Sequence, residues 1–293
     1  MEHKPIASLI YDFDKTLSPN NMQEYGFMRG LNIEPAAFWG ACRDLAVRNR
    51  MDGVLAYMYM MMEKARGVME LSREVFRDLG RDIEYFPGVE DWFDRVNAYG
   101  ETLGLTVEHY IISSGLTEII QGTSIADKFR AIFAASYCYD AEGRPLWPSN
   151  AVNYTSKTQF LFRINKGILD ITNDYDLNAY TPEDRRPIPF RNMIYLGDGL
   201  TDVPSMKMTR SKGGFSIAVY TSNDTSVADD MLIQNRADFA LEADYRAGGK
   251  LEAVVKALLR RIAAVDECAR IHASQLDIAQ ARRNQSPLPD EET

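Results

Sequence analysis

Four aspartates and a serine stand where short apolar runs end, and their types and spacing suit phosphate chemistry. Asp12 and Asp14 follow the run at 6–11 in IASLIYDFDKTL. Ser113 follows the β-rich run at 106–112. Asp198 and Asp202 follow the run at 192–196 in GDGLTD. In open α/β sheets, ligands bind outside the carboxyl ends of the strands. Carboxylates gathered at such an edge repel one another unless a cation sits among them. Hard oxygen donors with few His or Cys favour Mg2+. Such a metal neutralises phosphoryl oxygens while a carboxylate serves as nucleophile.

Those positions need a framework to bring them together. Residues 6–11 read as a short buried parallel strand. From 18 to 86 the pattern is helical. Asn21 with Glu24 fits a capping box, and Glu34-Pro35 opens a second helix. A third helix covers 54–65, and Ser72 caps a fourth. Phe86-Pro-Gly turns into a helix bearing Trp92, Phe93 and Val96. Strands are expected at 106–112, 132–139, 192–196 and 215–219, with a hairpin turn at Glu142-Gly143. Helices are expected at 116–120 and 157–164, and mainly loop across 173–190. Leu251, Val254, Val255, Leu258, Leu259 and Ile262 stripe a last helix that runs past Arg270, and the chain should fray from about Asn284. Strands alternating with helices predict an α/β fold with a parallel sheet. Its expected division is a core from 1–17 with 87–293, interrupted by an all-helical domain at 18–86.

Asp12-Phe-Asp14-Lys-Thr16-Leu after an apolar strand resembles the first motif of the haloacid dehalogenase (HAD) superfamily. Ser113 after Tyr110-Ile-Ile resembles its second motif. Lys157 in Ser156-Lys-Thr-Gln-Phe-Leu resembles its third, with Lys166 as the rival lysine. Gly197-Asp198-Gly-Leu-Thr-Asp202 resembles its fourth. All four stand in the family's order and span most of the chain. Asp12 and Asp14 alone could be turn residues, Ser113 could simply begin a helix, and Asp202 could cap the helix from Val203. The fourth motif argues against the turn reading for Asp12 and Asp14, while a cap and an outer metal role are compatible at Asp202.

The resemblance implies a Rossmann-like HAD core with a helical cap, and a two-step phosphoryl transfer in the phosphoserine-phosphatase-like branch. Asp12 would attack phosphorus and carry an aspartyl-phosphate. Asp14 would protonate the leaving oxygen and then take a proton from the hydrolytic water. Mg2+ would be held by the Asp12 carboxylate, the Asp14 main-chain carbonyl and Asp198, with Asp202 supporting from the same loop. Ser113, with Ser114 as its competitor, and Lys157 would bind the phosphoryl oxygens, where charge needs stabilising. Lys157 would also temper repulsion between Asp12 and the incoming anion. Thr16 would set the loop on the phosphate side. Members that cleave carbon–halogen bonds or phosphonates lack an aspartate at the position of Asp14, so its presence favours phosphate esters. A phosphomutase, or a HAD-like binding protein without turnover, is the alternative.

The insertion at 18–86 occupies the cap position and would hold the specificity. Phosphoserine phosphatases carry a glutamate shortly after the first motif, where this chain has Asn21, with Glu24 one turn later. The run Tyr57-Met-Tyr-Met-Met-Met62 suits the cap's own core better than an adaptable pocket. Arg43, Arg48 and Arg50 read as solvent-facing, with contact to an anionic substrate tail as the alternative. His3, His109 and His272 have no partner pattern and read as packing or surface residues.

Composition narrows the partners. Lys plus Arg number 33 and Asp plus Glu 42, a net charge of −9 with no basic patch, which disfavours nucleic acid. No stretch approaches the roughly 18 apolar residues of a membrane span. Cys42, Cys138 and Cys268 are too scattered for a disulfide framework or a zinc site. The opening MEHKPIASLIYDFD does not resemble a signal peptide, so a cytoplasmic location is expected. The expected partner is a small phosphorylated metabolite.

Overall fold

The structure is a computed structural model that describes residues 4–221 and 223–285. His3 and the tail beyond Gln285 lie outside the described residues. Among the described residues, seven strands form one sheet: β1 (Ile6–Tyr11), β2 (Thr106–Leu116), β3 (Ala131–Tyr139), β4 (Pro145–Asn150), β5 (Met193–Gly197), β6 (Phe215–Tyr220) and β7 (Phe239–Glu242). Their spatial order is β4-β3-β2-β1-β5-β6-β7. Every pair is parallel except the β3–β4 hairpin, which Gly143 closes at positive φ. Tyr11 pairs with Ile111 on one side and Leu196 on the other. Asp12 is therefore level with Ile112 and Gly197, and Ser113 and Asp198 come one residue later along the same edge.

Between β1 and the helix of Trp92 lie α1 (Gly26–Gly30), α2 (Pro35–Asn49), α3 (Gly53–Ala65) and α4 (Arg73–Leu79). Pro35 opens α2, and Ser72 Oγ accepts from Val75 N to cap α4. Then come α5 (Val89–Thr102), α6 (Thr117–Gln121), α7 (Lys157–Lys166), α8 (Asp174–Asn178), α9 (Val203–Ser211), α10 (Ser226–Ile233) and α11 (Lys250–Gln285). Among the described residues no helix is long and apolar enough to cross a membrane.

Apolar side chains cover both faces of the sheet. On one face, Ile10, Tyr195 and Ala218 pack with Phe160 and Ile164 of α7, Met206 of α9 and Met231 of α10. On the other, Leu9, Tyr11 and Leu196 share one continuous cluster with Trp92, Phe93, Val255 and Leu259. Phe27, Phe38, Met58, Met61 and Phe76 of the helical insertion belong to that same cluster. Met58 and Met61, one helical turn apart, are fully buried while Tyr59 faces outward, so the methionine run is mainly packing. The insertion is also anchored backbone to backbone. A Cβ on Gly122 would stand 1.7 Å from Arg77 O, and one on Gly80 would stand 2.1 Å from Ile119 O. Only glycine allows α4 and α6 to meet this closely.

Several expectations change. β2 continues past Ser113 to Leu116, with its register shifted after Ile112, so Ser113 lies inside a strand. β7 was not anticipated, because four residues are too short to show alternation. The 173–190 segment contains α8 and one 3-10 turn at Glu183–Arg185, and a second turn, Phe190–Asn192, begins at its end. The capping box does not form. Asn21 makes no side-chain cap bond, and Glu24 Oε1 instead accepts from the amide of Asn21 and the indole N–H of Trp39, 15 residues away. α11 is 36 residues long, and residues 267–284 of it are exposed, including His272.

His109 is buried in a polar chain. Trp92 Nε1 donates to Tyr11 Oη at 2.9 Å, which is 3.0 Å from His109 Nδ1, and His109 Nε2 is 2.9 Å from Asn97 Oδ1. Burial pulls His109 down to about 3 from the usual 6.5. The unfolded chain then binds the extra proton first, so this neutral histidine stabilises the fold above pH 6.5 and the stability is lost as pH falls toward 3. His109→Gln lacks that loss. The stability advantage of the native chain over the variant should shrink by about 3 kcal/mol between about pH 7 and about pH 4. Urea unfolding at both pH values tests this; a constant gap would contradict it.

Candidate active site

Asp12 is the first residue beyond the central strand. Its N–H donates to Leu196 O at 2.9 Å, and its Oδ1 accepts from Phe13 N at 2.7 Å. Lys157, the first residue of α7, is fully buried, with Nζ 2.9 Å from Asp12 Oδ2 and 2.7 Å from Asp202 Oδ1. Tyr195 donates to the same Asp202 oxygen at 2.8 Å, and Gly199 N donates to the other at 3.3 Å. Asp202 stands before α9, yet its side chain makes no cap bond there and turns to the lysine instead. Lys166 points elsewhere: its Nζ donates to the carbonyls of Leu177 and Ala179 at 2.6 and 2.7 Å.

Asp198 closes the group. One carboxylate oxygen from each of Asp12, Asp198 and Asp202 lies within 4.8 Å of the others. Asp14 sits two residues past Asp12, just before a left-handed Lys15 (φ 56°), and its Oδ1 accepts from Met22 N at 2.8 Å. Gly115 shapes this side: a Cβ there would stand 2.0 Å from Met22 Cε. Ser113 is buried and its Oγ accepts from Gly115 N at 3.1 Å. The Ser114 carbonyl accepts from Tyr57 Oη at 2.7 Å. The Thr16 hydroxyl is buried without a partner, and its carbonyl accepts from Tyr245 Oη at 2.7 Å.

Four carboxylates gather around one buried ammonium that touches Asp12 and Asp202, and the electrostatics show the excess. Burial, then Asp202 and Asp12, push Asp198 up to about 8. Burial also lifts Asp12 to about 6 against the pull of Lys157. Asp14 is raised well above the carboxylate range by burial and by Asp12. Burial works against the Lys157 cation, but Asp12 and Asp202 outweigh it and hold its pKa raised. An all-oxygen set short of positive charge fits a hard divalent cation.

No family model matches the chain. An uncharacterized protein of Borreliella burgdorferi is 28% identical over 279 residues, covering 85% of this chain and 95% of that one. Among solved structures, the chain is similar to a HAD family hydrolase from Salmonella enterica serovar Typhi (TM-score 0.53, 15% identity, 82% of this chain and 68% of that one). It is also similar to a probable phosphoserine phosphatase from Vibrio cholerae (TM-score 0.55, 12% identity, 90% and 67%). A substrate-bound phosphoserine phosphatase complex matches at TM-score 0.50 with 16% identity, over 82% of this chain and 94% of that one. The fold is that of the HAD superfamily.

In this HAD fold the helical insertion follows the first motif and overhangs the strand ends. A cleft of about 350 Å³ lies between them, lined in part by Asp14, Gln23, Trp39, Asp52, Tyr57 and Asn153. Asp52 joins its two sides. Its Oδ1 accepts from Val54 N at 2.8 Å, starting α3, and its Oδ2 accepts from Asn153 Nδ2 at 2.9 Å. Gln23, Trp39, Asp52 and Asn153 were not singled out in the sequence, where each reads as an ordinary helix or loop residue. The single available signal was Asp52 as an N-cap before the apolar run. Arg43, Arg48 and Arg50 are exposed on and just beyond α2, and none lines this cleft. A larger hollow of about 470 Å³ lies where β1 and β2 begin, beside Lys4, Leu103 and Arg260, away from the aspartates.

Proposed function

We propose that this chain is a Mg2+-dependent phosphatase of small phosphate monoesters that works through an aspartyl-phosphate on Asp12. The observation that carries the reading is the buried Lys157 ammonium shared by Asp12 and Asp202, with Asp14 and Asp198 beside it. Lys157 orients Asp12 and offers positive charge to an arriving phosphoryl group. Asp12 attacks phosphorus as the bond to the alcohol oxygen breaks. Asp14, whose proton is made harder to lose by burial and by Asp12, gives that proton to the leaving oxygen. Asp14 then takes a proton from water, which attacks the phosphoaspartate and releases inorganic phosphate. Ser113 and Ser114 face the phosphoryl oxygens, and Thr16 holds the loop on that side. Asp12, the Asp14 carbonyl and Asp198 would hold Mg2+, supported by Asp202. When bound, the cation neutralises the phosphoryl oxygens.

The acidic chain and the small cleft favour a small phosphorylated metabolite over nucleic acid. The three free cysteines support a cytoplasmic setting. The helical insertion acts in this reading as the cap over residues 18–86. Hydrolysis of p-nitrophenyl phosphate should require Mg2+, stop with EDTA and return on adding Mg2+. Mg2+ should also raise the melting temperature of the native chain, and not that of Asp198→Asn. Full activity in EDTA would overturn the metal assignment.

A further inference from the structure

The chemistry of the cleft narrows its substrate beyond the phosphatase reading, on which this inference rests. We infer that the cleft takes phosphate monoesters whose alcohol carries a hydrogen-bond donor and no second anionic group.

Charge is the first argument. The acidic residues lining the cleft are Asp14 and Asp52, and among the described residues no lysine or arginine lines it. Asp52 is held in place by neutral donors only, the N–H groups of Val54 and Leu55 and the amide of Asn153. A carboxylate or second phosphate on the alcohol would meet this fixed negative group across a partly desolvated gap.

The hydrogen-bonding inventory points the same way. The Trp39 indole N–H is spent on Glu24 and the Tyr57 hydroxyl on the Ser114 carbonyl. The amide of Asn21 turns to Glu24 and that of Asn153 to Asp52. The rings of Trp39 and Tyr57, edge to face at 6.0 Å, therefore offer apolar wall. Among the described cleft-lining side chains, Gln23 holds the buried polar atom left unpaired. It lines the cleft at 1% exposure, and its Oε1 is buried with no partner. A buried acceptor left alone costs stability, so it favours a ligand that brings a donor. A hydroxyl or an ammonium supplies one; a carboxylate does not.

Two matched pairs of esters test this with the Mg2+-loaded protein, beside p-nitrophenyl phosphate. Glycerol 1-phosphate differs from 3-phosphoglycerate, and phosphoethanolamine from phosphoserine, by a carboxylate. The carboxylate-free member should lead by at least about tenfold in kcat/KM in both pairs. Comparison of glycerol 1-phosphate with phosphoethanolamine separates hydroxyl from ammonium as the favoured donor. Asp52→Asn, which retains a capping side chain, should narrow both ratios to less than about threefold. Gln23→Leu should raise KM for glycerol 1-phosphate more than for p-nitrophenyl phosphate. If the aryl ester is hydrolysed and the carboxylate-bearing members match or exceed their partners, the inference is overturned and the phosphatase reading stands. If none of the five esters is hydrolysed, the phosphatase reading fails and takes the inference with it.

Discussion

Asp12→Asn should lose at least about a thousandfold in kcat on p-nitrophenyl phosphate with Mg2+ present. The amide matches the carboxylate in size, so Phe13 N keeps its acceptor and the loop keeps its shape. The change lies in reactivity, because a neutral amide oxygen is a poor nucleophile toward phosphorus. The loss should appear in kcat more than in KM, and no phosphate should be trapped on the variant after acid quench. A kcat within about tenfold of the native value would sink the nucleophile assignment.

Lys157→Met should damage both activity and stability. The methionine fills similar space, but Asp12 and Asp202 then face each other without the ammonium between them. Removing one partner from a buried ion pair costs on the order of 3–5 kcal/mol. Urea unfolding of the metal-free protein should show a loss of that order. Asp202→Asn added to Lys157→Met should recover a substantial share, because it removes one of the stranded charges while keeping an acceptor for Tyr195. Strict additivity of the two substitutions would mean that the lysine and Asp202 are not coupled.

The strand ends were legible because a buried parallel strand announces itself as an apolar run, and an aspartate directly after it breaks the pattern. Asp12 and Asp198 stand out in that way. The run of helices α1 to α4 between two strands was equally open to reading. The partners of Asp202 were not, since Tyr195 and Lys157 reach it from a strand and from a distant helix. The Asn21–Glu24 spacing matched a local capping motif, and Trp39 displaced it through a tertiary contact. The cleft was least readable. Gln23 is distinctive only because its carbonyl is buried without a partner, and no one-dimensional pattern records that.

The bonds that tie the insertion to the sheet also set how often the cleft opens. Tyr57 to the Ser114 carbonyl, Tyr137 to the Met58 carbonyl and Asn153 to Asp52 all cross between the two. Lifting α3 away breaks them together, before any cost of exposing Met58 and Met61 to water. At about 1 kcal/mol net for each bond, the lifted form is populated below about one per cent. In the proposed phosphatase the shut form would therefore be the one that meets ligands, and its width would act as a sieve ahead of the chemistry.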